Sequence, residues 1–288
     1  MVRMARRLSP LVLASLVACG GDRRPQPIPL TGKLLLRYHP SAGAVFRYRL
    51  DQMSRFAPDT PSADSGPRST LELVFTHRID SAGVRVRVTT TLDSAQVASP
   101  MLSPAAAADA ARRMRDTRVT AVFDDRQRLL GHDWSALDRL PATVGDQIQL
   151  GFRAVAVPLP EQPVGMGDSW TNDVELPFGE YAGGAPITAT TRLTVREMRV
   201  TAGDTTVRLG VETALPNRPL YFSIGGQPIT VRMRGAITGE QLLSITRGAV
   251  IEASLVGTMR VNVTGGFLGP QGMAMRVDQQ GTMRLVDR

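Results

Sequence analysis

The sequence predicts a mainly β protein of the α+β class, a meander of antiparallel strands with little helix. Apolar residues recur with period two along most of the chain. Short clusters of turn residues separate these runs, and helical patterning is confined to two places.

The chain opens on Met1, Val2, Arg3, Met4, Ala5, Arg6 and Arg7, a basic stretch without acids, and an apolar run follows from Leu8 to Ala18. A basic start, a short apolar stretch and small residues at its end predict a signal peptide over residues 1–18. The run falls short of the roughly 20 apolar residues that a spanning helix needs. Leu16, Val17, Ala18 and Cys19 resemble the lipobox of bacterial lipoproteins. That resemblance implies cleavage before Cys19, diacylation of its sulfur and acylation of its new amine. The expected product is anchored to a membrane by lipid on Cys19, on the periplasmic side of the cell envelope and at the outer membrane. Cys19 is the sole cysteine, so no internal disulfide can form. Lipidation accounts for a lone thiol in an oxidising compartment.

Residues 19–33 are rich in Gly, Pro and Arg and have little to bury, which predicts a flexible tether with a reach of about 20 Å. Removing residues 1–18 takes away three arginines and no acid, and lowers the formal net charge from +8 to +5. The arginines are scattered among apolar residues, and no basic block interleaves with aromatics. The sequence therefore predicts no nucleic-acid partner.

Residues 34–288 predict a single β domain. Leu71, Leu73 and Phe75 fall on one face of a strand. Val84, Val86 and Val88 alternate with Arg85 and Arg87. The pattern returns at Leu193 and Val195, at Val207, Leu209 and Val211, and in four later runs ending at Met283 and Leu285. One apolar and one polar face is the mark of antiparallel strands wet on one side. Asp80 to Gly83, Ala202 to Asp204, Gly265–Gly266, Gly269–Pro270 and Gln280–Gly281 supply turns. Residues 70–92 and 190–215 read as similar hairpins, through duplication or through shared hairpin grammar.

Ser103 to Arg115 is the clearest helix. Ser103 suits the cap, Pro104 the first helical position, and an alanine run follows. Thr143 to Ala156 is a second candidate, with Val144, Ile148, Phe152 and Val155 on one face and Gly145 and Gly151 against it. Asp124 and Asp125, adjacent on a strand, would point to opposite faces and cannot share one acid–base site. They predict a hairpin turn. Asp146 and Asp168 suit turns or caps, and Trp170 a core anchor at a strand start.

Leu36, Arg37 and Tyr38 lead through Gly43 to Phe46, Arg47 and Tyr48. Val119 to Phe123, Asp124–Asp125 and Leu129–Leu130 form a hairpin, and Leu159 to Thr171 includes Gly167, Asp168, Ser169 and Trp170. This order resembles uncharacterised bacterial lipoproteins of the LolA/LppX-like fold, that of periplasmic lipoprotein and lipid carriers. The resemblance covers most of residues 34–288. It implies a large curved antiparallel sheet, a half-open barrel, whose concave face is covered by one or two helices over an apolar cavity. Phe75, Val86, Phe123, Trp170 and Leu209, with Ala107 beneath the helix, are the expected lining. The same side chains would fill a closed interior.

His39, His77 and His132 are far apart and lack metal-ligand spacing. No nucleophile elbow or phosphate loop appears. The sequence predicts no enzyme, no cofactor and no metal. Two functions are expected instead: a carrier or binding module for a hydrophobic, lipid-like ligand, or a structural lipoprotein that meets an envelope protein partner. Met259, Met273, Met275 and Met283 suit the first, because flexible thioethers fit promiscuous apolar surfaces.

Overall fold

Alternating apolar residues become strand after strand. The computed structural model describes residues 27–59, 66–100, 102–140, 145, 148–149, 158–176, 187–215, 219–224, 226–269 and 271–286. The expected signal peptide, Cys19 and most of the expected tether lie outside these residues. So does most of the expected second helix, within which Gly145, Ile148 and Gln149 are helical.

The strands are β1 (Ile28–Pro29), β2 (Val45–Pro58), β3 (Arg68–Ser81), β4 (Arg85–Ala98), β5 (Arg118–Asp124), β6 (Leu129–Asp133) and β7 (Ser169–Leu176). There follow β8 (Ile187–Thr201), β9 (Asp204–Ala214), β10 (Pro219–Ile224), β11 (Gln227–Ser244), β12 (Ala249–Gly265) and β13 (Met273–Leu285). Between β4 and β5 lies α1 (Pro104–Met114). Among the described residues all thirteen strands join one antiparallel sheet, ordered β1-β8-β9-β11-β12-β13-β2-β3-β4-β5-β6, with β7 also on β8 and β10 on β11. The sheet is open: β1 and β7 end one side and β6 the other.

The sheet curves far enough to bury its own face. Leu193, Val195, Val207 and Leu209 from one flank share one buried cluster with Leu73, Phe75 and Leu92 from the other. Glycines permit neighbouring strands to approach closely. At Gly239 on β11, a Cβ would collide with the Ser254 carbonyl oxygen on β12, so only glycine admits that approach.

The expected helix forms as α1. Ser103 Oγ accepts the Ala106 N–H at 3.2 Å, Pro104 opens the helix, and Asp109 pairs with Arg112 and Arg113. Ala107, Ala110 and Met114, one face of the helix, are buried, and α1 packs on β4.

Two expectations about boundaries are corrected. Val84 is not in the strand with Val86 and Val88: β4 begins at Arg85, and Val84 is 87% exposed in the turn. The tether expected over 19–33 ends earlier. Ile28 and Pro29 pair with Val200 and Arg199 of β8, and the Leu30 N–H donates to the Met198 carbonyl at 3.0 Å. Backbone bonds to a sheet edge offset the ordering entropy that a Pro-rich segment would otherwise keep.

Candidate functional site

The inner faces of β2 to β5 wall a cavity of about 420 Å³. Tyr48 and Leu50 come from β2, Leu73, Phe75 and His77 from β3, Val88 and Thr90 from β4, and Val119, Ala121 and Phe123 from β5. Met283 of β13 and the turn at Gly248 close one end. The opposite side is Trp134, Ile148, Pro158 and Asn172 to Glu175. Arg128, Asp173 and Glu175 are the exposed members of the lining, so the cavity reaches solvent between the β5–β6 turn and β7.

Two irregular segments bring the open edges of the sheet together around this space. Leu34 and Val164 exchange backbone hydrogen bonds of 2.8 and 3.0 Å. The Tyr38 N–H donates to Asp125 O, and the Leu159 N–H to Arg126 O, both at 2.7 Å. At the other end of the second segment, the Gly167 N–H donates to Val195 O on β8 at 2.9 Å. Arg37 lies 3.2 Å from Asp125, and Arg126 2.5 Å from Glu161. The straps therefore join β8 to the β5–β6 turn, although among the described residues no strand does.

The turn itself is organised by Asp124. Its carboxylate accepts the N–H groups of Arg126 and Arg128 at 2.9 and 2.8 Å and pairs with the Arg128 guanidinium at 2.6 Å. Burial alone would raise this carboxyl, but these donors hold it below the usual carboxylate range. Asp125 turns away to Arg37, so the two aspartates form a hairpin turn, as expected. Asp168 takes the expected turn role too, accepting the Gly165 N–H at 3.0 Å.

Inside, among the described residues, the walls carry no charge at neutral pH. His77 sits beside Tyr48 and Phe75, with ring centroids 5.0 Å from each. Burial pushes its imidazole down to about 4, so it is neutral well below pH 7. Burial also raises the phenols of Tyr38 and Tyr48.

Of the six lining residues expected from sequence, Phe75 and Phe123 line the cavity, Phe75 stacked on Tyr48 at 5.3 Å. The other four do not. Val86 packs with Ile79 and Val88 in a smaller cluster. Ala107 faces β4 from α1, and no residue of α1 lines the cavity, so the space does not lie under that helix. Trp170 packs on the main core and donates its indole N–H to the Pro158 carbonyl at 2.9 Å, the anchoring role expected of it. Leu209 is fully buried in that core. Of the four methionines, Met283 lines the cavity; Met259, Met273 and Met275 sit on distant parts of β12 and β13. Sequence reasoning passed over His77 and Ile79, although the alternation through Leu71, Leu73 and Phe75 runs straight on to them.

No family model matches the chain, and no curated protein matches it. Among solved structures, lipovitellin, described for its lipid–protein interactions, superposes with a TM-score of 0.49 at 10% identity. That match covers 86% of this chain and 25% of the other, so the chain spans about a quarter of lipovitellin. DynF, from the dynemicin biosynthesis pathway of Micromonospora chersina, matches at a TM-score of 0.25 and 9% identity, over 92% of this chain and 90% of its own. Similarity this distant carries no argument about what the chain binds.

Proposed function

We propose that this chain is a lipid-anchored bacterial envelope lipoprotein that holds a hydrophobic, lipid-like ligand in the cavity between β2–β5 and β7, and that it is a binder rather than an enzyme. The observation that carries the reading is the cavity: about 420 Å³, walled by apolar and aromatic side chains, with the charged groups among its described residues confined to the mouth. Binding pockets are concave, mostly apolar and of roughly 300–1,000 Å³. A volume near the lower bound suits one acyl chain better than two. An apolar chain would lie against Leu73, Phe75 and Val119, with its polar end at Arg128 and Asp173. The kinship with LolA/LppX-like carriers belongs to this proposal, as does the outer-membrane address.

A fluorescent fatty-acid probe tests it. Saturable binding is expected, and Ala121→Trp, which places an indole inside the cavity, weakens it at least tenfold. Ala108→Trp, on the exposed face of α1, leaves it unchanged. A folded protein that binds no probe, or binds it equally well with Ala121→Trp, overturns the reading and favours a structural lipoprotein with an envelope protein partner.

The anchor is tested separately. Detergent phase partitioning of the protein made in a bacterium is expected to place it in the detergent phase. Cys19→Ser should leave an unprocessed, unacylated precursor. Processing of the variant like the parent would exclude the lipid.

A further inference from the structure

Aromatic rings are scarce in this chain and crowded around its cavity. The sequence holds 8 Phe, 4 Tyr and 2 Trp, and aromatics make up 5% of it. Among the described residues that line the cavity, six are aromatic: Tyr38, Phe46, Tyr48, Phe75, Phe123 and Trp134. So strong a concentration is a property of this wall and not of the composition.

Pairing register sets four rings into one block. Phe46 stands directly opposite His77, and Tyr48 directly opposite Phe75, on β2 and β3. Residues directly opposite, or two apart along a strand, share a face of the sheet. All four line the cavity. Tyr48 and Phe75 are stacked with centroids 5.3 Å apart, and His77 lies 5.0 Å from each. Tyr38 and Phe123 make a second, edge-on pair at 6.1 Å. One hydroxyl sits beside the block. Thr90 on β4 is directly opposite His77, lines the cavity and is 6% exposed. Its Cβ is held about 5 Å from that of His77.

An acyl chain needs only apolar walls, and Leu, Ile and Val supply those as well as rings do. Aromatic faces gain more from another ring: offset or edge-on contacts add roughly twofold to tenfold in affinity beyond apolar burial. A buried hydroxyl favours an occupant that can hydrogen-bond to it. The volume admits one acyl chain, but the wall favours rings.

We infer, building on the hydrophobic-ligand reading above, that the cavity takes a flat, fused-ring hydrophobe carrying a hydroxyl or carbonyl oxygen, seated against Phe46, Tyr48 and Phe75 with its oxygen at Thr90.

Fluorescence titration of the full chain carrying Cys19→Ser, which keeps its own acyl groups out of the cavity, tests this with hydroxypyrene, pyrene and the unbranched acyl chain cis-parinaric acid. Hydroxypyrene is expected to bind at least tenfold more tightly than cis-parinaric acid. Tyr48→Leu and Phe75→Leu remove a ring and keep apolar volume. Each weakens both pyrene probes by about threefold to tenfold and leaves cis-parinaric acid nearly unchanged. Phe46→Leu, at a half-buried position, does the same with less risk to the core. Thr90→Val exchanges the hydroxyl for a methyl group and weakens hydroxypyrene by about fivefold without affecting pyrene. Tyr221→Leu, an exposed ring on β10 away from the cavity, changes nothing.

Equal or tighter binding of cis-parinaric acid, or equal weakening of chain and ring probes by the ring variants, overturns the ring class and leaves the hydrophobic-ligand reading standing. Hydroxypyrene binding untouched by Thr90→Val overturns the place of the oxygen. A folded protein that binds none of the three probes overturns both readings. Circular dichroism melts of every variant separate loss of binding from loss of fold.

Discussion

Replacing Gly239 by alanine is expected to cost the fold about 3 kcal/mol or more, among the largest effects of any single methyl group in this chain. Gly239 lies in the middle of β11, on the side of the sheet that faces inward. The added Cβ would meet the backbone oxygen of Ser254, and Leu255 Cδ2 would be 2.9 Å away. A flexible side chain can swing aside, but a paired backbone carbonyl on the neighbouring strand cannot. The substitution therefore forces β11 and β12 apart, and the long hairpin they form is a spine of the structure. Gly131 on β6 is the control, because a Cβ there meets nothing within 4 Å. Gly131→Ala should be neutral or slightly stabilising, since alanine narrows the unfolded ensemble. Urea unfolding of both variants checks the pair. Equal midpoints would show that the β11–β12 pairing tolerates a side chain at position 239.

Acid is expected to destabilise the protein through one histidine before it reaches the carboxylates. His77 keeps some accessible surface only because it faces the cavity; it lies deep in the molecule, with an imidazole depressed to about 4. In the unfolded chain it titrates near 6.5. Between these values the unfolded chain takes up a proton that the folded chain refuses, so stability falls as pH drops from about 6.5 toward 4. From about pH 7 to pH 5 the loss is about 2 kcal/mol, approaching about 3 kcal/mol at lower pH. The depressed carboxylates, Asp124 and Asp168 among them, act in a lower window. Their contribution is present above the unfolded carboxylate range and is lost as pH falls through their folded values. His77→Phe keeps the ring and removes the proton. Its urea midpoint should change little between about pH 7 and pH 5, where that of the parent drops. A parent with a flat profile over that window would show that His77 is solvated through the cavity mouth.

The fold was legible where it rests on local rules. Alternation fixed which face of each strand is apolar, since side chains alternate whatever the sheet does. Capping and propensity identified the helix after Ser103, where Ser103 Oγ does accept the Ala106 N–H. Adjacency on a strand separated Asp124 from Asp125. The cavity was legible only in part, because periodicity says which side of a strand is buried and not what lies across from it. Phe75 and Leu209 have the same pattern and both are buried, yet one faces the space and the other packed neighbours.

The sequence by itself therefore indicated most of the strands, the apolar face of each and the capped helix, together with the expectation of a lipid on Cys19. Each of these follows from interactions within a few residues of the chain. Tertiary structure alone decided the order of the strands, the close approach of β11 and β12 at Gly239 and the straps from Leu34 and Val164 that draw the open edges together. It also placed the cavity beside Tyr48 and His77 instead of under α1. These depend on which residues meet across strands far apart in the sequence, and pairing register is a long-range property that no local pattern encodes.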